Sequence, residues 1–242
     1  MAELTGFTYA YDGERLSGVR SQAVACAGGG PAVVLLHGAG NGSKHRLRPL
    51  IAEFTAHHCT AVAFDFSGHG ESTGELRELS LRRRFGQATA VIDAHVPPDS
   101  PLILVGFSMS GQTVTDLVRH YGERVSAIGL CSPAVYPPEA WDVAFDDGTG
   151  RFTEIIRTPD AWHRSPALEV LRAYEGRAVL AVPGTDAVIP PAVTEAVEDA
   201  LAARARFTRF ELPDAEHRLG LWFQDHPEDR REFVTLLLER RV

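Results

Sequence analysis

Residues 101–111 read Pro-Leu-Ile-Leu-Val-Gly-Phe-Ser-Met-Ser-Gly, an apolar run that breaks at a glycine and then presents a serine. The pattern predicts a buried strand, Pro101–Phe107, followed by a helix, Met109–Tyr121. A turn this tight forces the side chain of Ser108 outward, where a substrate can reach it. The usual form of the motif is Gly-x-Ser-x-Gly, and Ser110 stands in place of its last glycine. Because serine is still small, we interpret the stretch as a strand–turn–helix unit that carries a nucleophile.

Strands alternate with helices on both sides of this unit, which is typical of a parallel sheet covered by helices on both faces. The other predicted strands are Phe7–Tyr11, Arg15–Val24, Ala32–Leu36, Cys59–Phe66, Arg124–Cys131, Ala178–Val182 and Ala205–Leu212, with a glycine-rich turn at Ala25–Pro31. The other predicted helices are Leu47–His57, Glu78–His95, Pro191–Ala203 and Glu228–Arg240. The fold class is therefore α/β, with eight strands in one mostly parallel sheet. A chain of 242 residues suits one such domain.

One segment, residues 133–173, interrupts this alternation after the sixth strand. It contains several breaks, at Pro137-Pro138, Asp146–Gly150 and Ser165-Pro166. Six large apolar residues lie within it: Trp141, Phe145, Phe152, Ile155, Ile156 and Trp162. A stretch of about 40 residues that fits no strand–helix unit is either a disordered loop or a folded lid. Its aromatic content favours a lid, and suggests an apolar or aromatic group in the substrate.

A serine hydroxyl needs a base to accept its proton, and the base needs an acid partner. In a sheet of this kind we expect the acid after the strand that follows the lid, and the histidine after the last strand. Asp186 and His217 meet both requirements. Since the carboxyl ends of parallel strands share one edge of the sheet, Ser108, Asp186 and His217 are predicted to meet there.

The oxyanion formed by attack on a carbonyl requires preorganised N–H donors. We expect one from the backbone of Met109, at the start of the helix, and a second from Ala39 in the loop after the third strand. His37, at the start of that loop, is interpreted as a support for it rather than as the base. Among the other histidines, only His163, in the lid, is kept as a possible substrate contact.

Five stretches of the sequence resemble the α/β-hydrolase superfamily: His37–Gly40, Asp65–Ser72, Gly106–Gly111, Asp186–Pro190 and His217. The resemblance covers about residues 30–242. Within the superfamily, the compact size and the lid resemble small bacterial carboxylesterases of the feruloyl/cinnamoyl-esterase type. The turn Asp65–Ser72 is interpreted as a tight loop held by Asp65, with lining of the pocket as the alternative.

The resemblance implies one role for each of the five site residues. Ser108 would be the nucleophile, His217 the base and then the acid, Asp186 the orienting acid, and Ala39 and Met109 the oxyanion donors. The sequence departs from the family pattern at Ser110 and in the spacing from Gly184 to Asp186, which is one residue shorter than usual.

Composition excludes several other classes of protein. The formal net charge of −8 argues against a nucleic-acid partner. Arg82-Arg83-Arg84 is the only basic cluster, and we interpret it as a solvated helix face. No histidine pairs with a carboxylate or cysteine at ligand spacing, and Cys26, Cys59 and Cys131 are widely spaced, so we expect no metal, no cofactor and no disulfide framework. No stretch looks like a secretory signal or a membrane span, so a cytoplasmic protein is expected.

These features favour a serine hydrolase that acts on a small-molecule ester of a small or medium organic acid. A thioesterase or acyltransferase of a biosynthetic pathway, using the same residues, is the alternative. An acidic carrier protein would find little complementary charge beyond Arg82–Arg84. A catalytically silent binding module on the same scaffold is the third reading.

Overall fold

The computed structural model describes residues 4–21 and 30–239. Within them eight strands form one sheet: β1 Leu4–Tyr11, β2 Glu14–Ser21, β3 Ala32–Leu36, β4 Thr60–Phe64, β5 Leu102–Phe107, β6 Val125–Cys131, β7 Arg177–Thr185 and β8 Arg206–Glu216. Their order across the sheet is β1-β2-β4-β3-β5-β6-β7-β8. β2 pairs antiparallel with both β1 and β4, and the remaining pairs are parallel. The predicted α/β class and mostly parallel eight-stranded sheet are confirmed.

The central strands are buried on both faces because their sequences are continuously apolar. All residues of β3 and β5 are buried, and so are four of the five residues of β4. Continuous apolar runs, instead of alternating ones, are typical of strands covered by helices on both sides.

Eight α-helices lie in the described residues: α1 Arg48–Ala56, α2 Leu81–His95, α3 Ser110–Tyr121, α4 Arg151–Arg157, α5 Pro166–Ala173, α6 Pro191–Ala202, α7 Leu219–Asp225 and α8 Pro227–Leu238. Three of them begin at a proline, whose fixed φ and missing N–H suit the first helical position. α2, α3, α5 and α6 bury apolar side chains against one face of the sheet. α1, α7 and α8 cover the other face.

The segment after β6 is folded and contains α4, α5 and two short 3₁₀ turns. Its aromatic side chains Trp141, Phe145 and Phe152 pack with Leu81 and Met109 of the body. This packing explains the aromatic content that predicted a lid.

The structure corrects several predicted boundaries. β8 continues four residues beyond Leu212, and β7 three beyond Val182. α2 begins at Leu81 instead of Glu78, and residues 76–78 form a 3₁₀ turn. α7 was not predicted. The predicted end of the second strand at Val24, the turn over residues 25–29, Cys26 and Arg240 lie outside the described residues.

Candidate active site

Ser108 lies between the last residue of β5 and the first turn of α3, in the left-handed backbone region with φ +51°. A non-glycine residue adopts this conformation only when its surroundings impose it. Its N–H donates to the carbonyl of Cys131 at 2.9 Å, and its carbonyl accepts from the N–H groups of Gly111 and Ala134 at 2.8 and 2.9 Å. These three hydrogen bonds hold the backbone of Ser108 in this conformation.

Gly106 and Gly111 are required because neighbouring atoms lie too close to leave room for a side chain at either position. A Cβ atom on Gly106 would lie 2.6 Å from the carbonyl oxygen of Ser110. One on Gly111 would lie 2.6 Å from the Cβ of Pro133. Position 110 itself tolerates a side chain, which is why serine can replace the usual glycine there.

Asp186 and His217 are brought together by the pairing of β7 with β8. Thr185 pairs with Glu216 in this ladder, so the two functional residues are the next ones along their strands. The ladder is irregular between Pro183 and Thr185, where one residue of β7 lies opposite three residues of β8.

The three predicted residues form one hydrogen-bonded series. His217 Nε2 lies 3.0 Å from Ser108 Oγ, and His217 Nδ1 lies 2.9 Å from Asp186 Oδ2. The other carboxylate oxygen of Asp186 accepts from the N–H groups of Val188 and Ile189 at 2.8 and 2.9 Å. A carboxylate accepts hydrogen bonds, so Nδ1 carries the proton of a neutral His217 and Nε2 presents a lone pair to Ser108.

The two predicted oxyanion donors come from two different segments of the chain. Met109 follows it directly at the N-terminus of α3, where N–H groups and the helix dipole favour negative charge. Ala39 lies in the loop after β3 and lines the same cavity as Ser108 and His217. Residues 37–39, which we call the oxyanion loop, carry that second predicted donor.

His37 supports the oxyanion loop, as predicted. Its Nε2 accepts from the N–H of Phe66 at 3.1 Å, so its Nδ1 carries the proton and donates to the carbonyl of Gly38 at 2.6 Å. Burial, followed by the charges of Arg84 and His69, holds the pKa of His37 well below its usual value. The ring is therefore neutral at pH 7, and it holds the carbonyl of Gly38 in place.

The turn at Asp65 is likewise structural. The buried carboxylate of Asp65 accepts from both the backbone N–H and the Nζ of Lys44 at 2.6 Å, and from the N–H of Glu71 at 2.9 Å. None of the described residues of this turn lines the cavity at Ser108.

The structure contradicts the prediction that Arg82, Arg83 and Arg84 form one solvated face. Arg82 and Arg83 form ion pairs with Asp142 and Asp12 near the surface, but the side chain of Arg84 is fully buried. Arg84 Nη2 donates to the carbonyl of His37 and to Ser110 Oγ, at 2.7 Å each.

Helical periodicity indicates the burial of Arg84, which the interpretation of the three arginines as one solvated face did not include. Arg84 follows Leu81 by three residues and precedes Ala88 by four, and both of these neighbours are buried. Residues at this spacing share one face of a helix.

The cavity beside Ser108 has a volume of about 100 Å³, and no described residue of the folded segment 133–173 lines it. Its wall consists of the oxyanion loop, the start of α7 and the side chains that flank them: His37, Gly38, Ala39, Gly42, Ser43, Arg46, Leu47, Phe107, Ser108, His217, Arg218, Leu219, Gly220 and Leu221. The aromatic side chains of this segment do not line this cavity, and Trp141, Phe145 and Phe152 pack against the body of the domain. His163 stacks on Trp162 and lines a different cavity, so its predicted substrate contact is not seen here.

Two further properties concern metal binding and membrane insertion of residues 4–21 and 30–239. No group of three or more His, Cys, Asp or Glu side chains there is arranged to hold a metal ion. No helix in these ranges is both long enough and apolar enough to cross a bilayer.

Comparison with known proteins identifies the family. The family model Hydrolase_4, described as "Serine aminopeptidase, S33", matches residues 30–208. Norfluorocurarine synthase 1 of Strychnos nux-vomica is 36% identical over 111 residues, which cover 43% of this chain and 41% of that protein. Polyneuridine aldehyde esterase of Rauvolfia serpentina is 30% identical over 107 residues, which cover 43% and 39%. The matches thus span about two fifths of the length of these curated relatives.

Solved structures share the fold over almost the whole chain. A thioesterase domain from the curacin biosynthetic pathway has a TM-score of 0.71 at 16% identity, covering 98% of this chain and 100% of that one. Est1E of Butyrivibrio proteoclasticus, solved with ferulic acid, has a TM-score of 0.71 at 16% identity, covering 97% and 100%. Because the Hydrolase_4 model spans well over half of the sequence, the chain belongs to this family of α/β-hydrolases.

Proposed function

We propose that the protein is a serine hydrolase that cleaves a carboxylic ester of a small or medium organic acid through an acyl-enzyme intermediate. The observation that carries the proposal is the hydrogen-bonded series from Asp186 through His217 to Ser108. A serine hydroxyl becomes nucleophilic when a base takes its proton, and His217 Nε2 is within hydrogen-bond distance of it.

In the acylation step, Ser108 Oγ attacks the ester carbonyl carbon while His217 Nε2 accepts the hydroxyl proton. The carbonyl oxygen becomes an oxyanion, which the backbone N–H groups of Ala39 and Met109 would stabilise. Asp186 stabilises the imidazolium that forms. The tetrahedral intermediate then loses its alkoxy group, which takes the proton from His217 and leaves as the alcohol.

Deacylation repeats these steps with water. His217 takes a proton from a water molecule while the oxygen of that water attacks the acyl carbon bound to Ser108. Collapse of the second intermediate releases the carboxylic acid, and the proton returns from His217 to Ser108 Oγ.

The cavity lining supports an ester substrate over the peptide substrate that the family description suggests. An aminopeptidase binds the ammonium group of its substrate, which a carboxylate would favour. Among the described residues that line the cavity at Ser108, none is acidic, and Arg46 and Arg218 are basic. A free ammonium group would therefore be repelled. The formal net charge of −8 supports a small molecule over nucleic acid as the substrate, and we retain the cytoplasm as the proposed location of the protein.

Thioester hydrolysis or acyl transfer remains the second candidate. The shared fold of a biosynthetic thioesterase domain favours it, because the same three residues could act on a thioester. Oxoesters and thioesters with the same acyl group, compared in kcat/KM, separate the two activities. A thioester preference beyond the difference in intrinsic reactivity would favour the second candidate.

The decisive test is hydrolysis of p-nitrophenyl acetate, butyrate and octanoate by the parent protein and by the Ser108→Ala variant. We expect the variant to lose roughly 10⁶-fold in kcat, down to the background rate. Ser100→Ala is the matched control, because Ser100 precedes the amino end of the same strand and lies outside the cavity at Ser108.

Equal turnover by the parent and Ser108→Ala would overturn the proposal. A fluorophosphonate probe tests the silent-module reading separately. Labelling of the parent but not of Ser108→Ala indicates an activated serine, whereas no labelling of either protein favours a binding module.

A further inference from the structure

Arg84 is a fully buried cation with no carboxylate partner among the described residues. Its ion-pairing neighbours on α2, Arg82 and Arg83, lie near solvent, whereas the Arg84 side chain has 0% exposure. Its Nε and Nη1 atoms have no hydrogen-bond partner in the part of the chain that the structure describes. The guanidinium lies over the ring of Phe66, 3.7 Å from the ring centre.

Burial of an unpaired charge is costly, so such a residue needs a reason to be present. Burial lowers the pKa of Arg84 to about 9, and the side chain is still protonated at neutral pH. Replacement by an apolar side chain would normally be neutral or favourable for stability. The function of Arg84 must therefore come from what its charge and its donors contact.

Those contacts converge on the oxyanion loop. Arg84 Nη2 donates to the carbonyl of His37, and Ser110 Oγ donates to the same carbonyl at 2.7 Å. Arg84 Nη2 also donates to Ser110 Oγ. The three groups form a closed triangle directly behind the loop, and Ser110 is the residue at which this chain departs from the family motif.

The triangle and the His37 ring together fix the orientation of two successive peptide groups. A trans peptide is planar, so its N–H points opposite to its C=O. Holding the carbonyl of His37 toward Arg84 directs the N–H of Gly38 the other way. The His37 ring then holds the carbonyl of Gly38, which in turn directs the N–H of Ala39 away from that ring.

We propose that Arg84 and Ser110 are positioning residues that hold His37 and thereby orient the oxyanion loop for the transition state. This inference rests on the proposed serine hydrolase function. The positive charge of Arg84 also favours the negative charge that develops on the substrate oxygen, because an oriented charge in a buried setting is weakly screened. Glycine at position 110 would leave Arg84 and His37 without the hydroxyl that joins them.

The test compares Arg84→Met, Arg84→Lys, Ser110→Gly and the double variant Arg84→Met/Ser110→Gly with the parent. Arg82→Gln is the matched control, since Arg82 lies on the same helix but pairs with Asp142 at the surface. We expect Arg84→Met to lower kcat by about 10²-fold with KM changed by less than about threefold, as for loss of an oxyanion interaction. Arg84→Lys should recover part of this loss because it restores the charge.

Ser110→Gly should lower kcat by about tenfold, and the double variant should lose less than the product of the single effects, because the two side chains act as one unit. Inhibition by a trifluoromethyl ketone, which forms an oxyanion on Ser108, should weaken in parallel with kcat. A role in stability alone would lower the melting temperature without changing the inhibition constant of the folded protein.

Folded Arg84→Met and Ser110→Gly variants with the kcat and the inhibition constant of Arg82→Gln would overturn the inference. If Arg84→Met does not fold, Ser110→Gly decides the question, since glycine is the usual residue at that position. Failure of the proposed function has a different signature, namely parent turnover that survives Ser108→Ala. If esters are not turned over but Ser108 is labelled, the rate of fluorophosphonate labelling replaces kcat, and no labelling overturns both proposals.

Discussion

At the scale of single residues, Asp186 determines which nitrogen of His217 carries a proton. Its carboxylate accepts from Nδ1 and leaves Nε2 free to face Ser108. Two backbone N–H groups fix the other oxygen, so the carboxylate has little freedom to turn. The tautomer of His217 therefore depends on the side chain of Asp186.

Asp186→Asn should therefore impair catalysis without unfolding the protein. The amide can donate to Nδ1, which shifts the imidazole proton to Nε2 and removes the base from Ser108. We expect kcat for p-nitrophenyl butyrate to fall by roughly 10⁴-fold. The exposed Asp214→Asn is the control, and comparable activity of Asp186→Asn and Asp214→Asn would contradict this role.

The sequence predicted Ser108, Asp186 and His217 because each follows a recognisable strand, and parallel strands present their carboxyl ends at one edge. Arg84 could not be recognised in the same way. A run of three arginines on a helix is usually solvated, and only the helical spacing to Leu81 and Ala88 separates it from Arg82 and Arg83. What joins Arg84 to Ser110 and His37 is a contact between distant parts of the chain, which local patterns do not contain.

At the scale of elements, the prediction was accurate for buried strands and weaker at the ends of β7 and β8. Apolar runs mark the buried part of a strand, but β8 continues through Pro213 and Asp214, residue types that usually indicate a turn. The pairing with β7 is interrupted at these residues and resumes at Glu216, opposite Thr185, so the strand extends beyond them. A contact between distant residues, which local sequence patterns do not contain, thus sets the end of β8.

Helix α3 connects the turn at Ser108 to the segment after β6 through Gln112. Its Oε1 accepts from the N–H of Tyr136 at 3.0 Å, and its Nε2 donates to both carboxylate oxygens of Asp116 at 3.2 Å. Burial raises the pKa of Asp116 to about 6, although Gln112 and Arg119 oppose the shift. The folded protein thus binds this proton more tightly than the unfolded chain does.

Asp116 should consequently destabilise the fold as the pH rises. The pKa of Asp116 is higher in the folded protein than in the unfolded chain. The free energy of unfolding therefore declines as the pH rises between these two pKa values. Relative to the parent, Asp116→Asn should gain about 1.5 kcal/mol in free energy of unfolding between about pH 5 and about pH 8. Urea denaturation at both pH values measures this, with the exposed Asp99→Asn as control. A constant difference between Asp116→Asn and the parent would show that Asp116 does not carry this pH dependence.

At the scale of the whole molecule, charge is distributed unevenly around the candidate site. The chain has a formal net charge of −8, yet the cavity at Ser108 is lined by Arg46 and Arg218 and, among the described residues, by no carboxylate. The charge of Arg46 also contributes to the lowered pKa of His37, which lines the same cavity. Such a cavity attracts anions into a molecule that otherwise repels them.

An ester that carries a free carboxylate should therefore be preferred to a neutral one of similar size. We expect 4-nitrophenyl hydrogen succinate to exceed 4-nitrophenyl butyrate in kcat/KM, and the ratio to fall about tenfold in the Arg46→Gln/Arg218→Gln variant. Added salt should reduce the ratio in the parent by screening. Arg231→Gln, on the exposed side of α8, is the control. A parent that prefers the neutral ester, or a double variant with an unchanged ratio, would contradict the prediction.

The pairing of Thr185 with Glu216 has a consequence for how this scaffold can diversify. The imidazole of His217 and the carboxylate of Asp186 meet because two neighbouring strands share a register, whereas Ser108, the proposed nucleophile, lies in a separate turn. Replacement of Ser108 by cysteine or aspartate would therefore leave the register of β7 and β8 unchanged, and with it the contact between Asp186 and His217. The geometry of this acid–imidazole pair is structurally independent of the side chain at position 108.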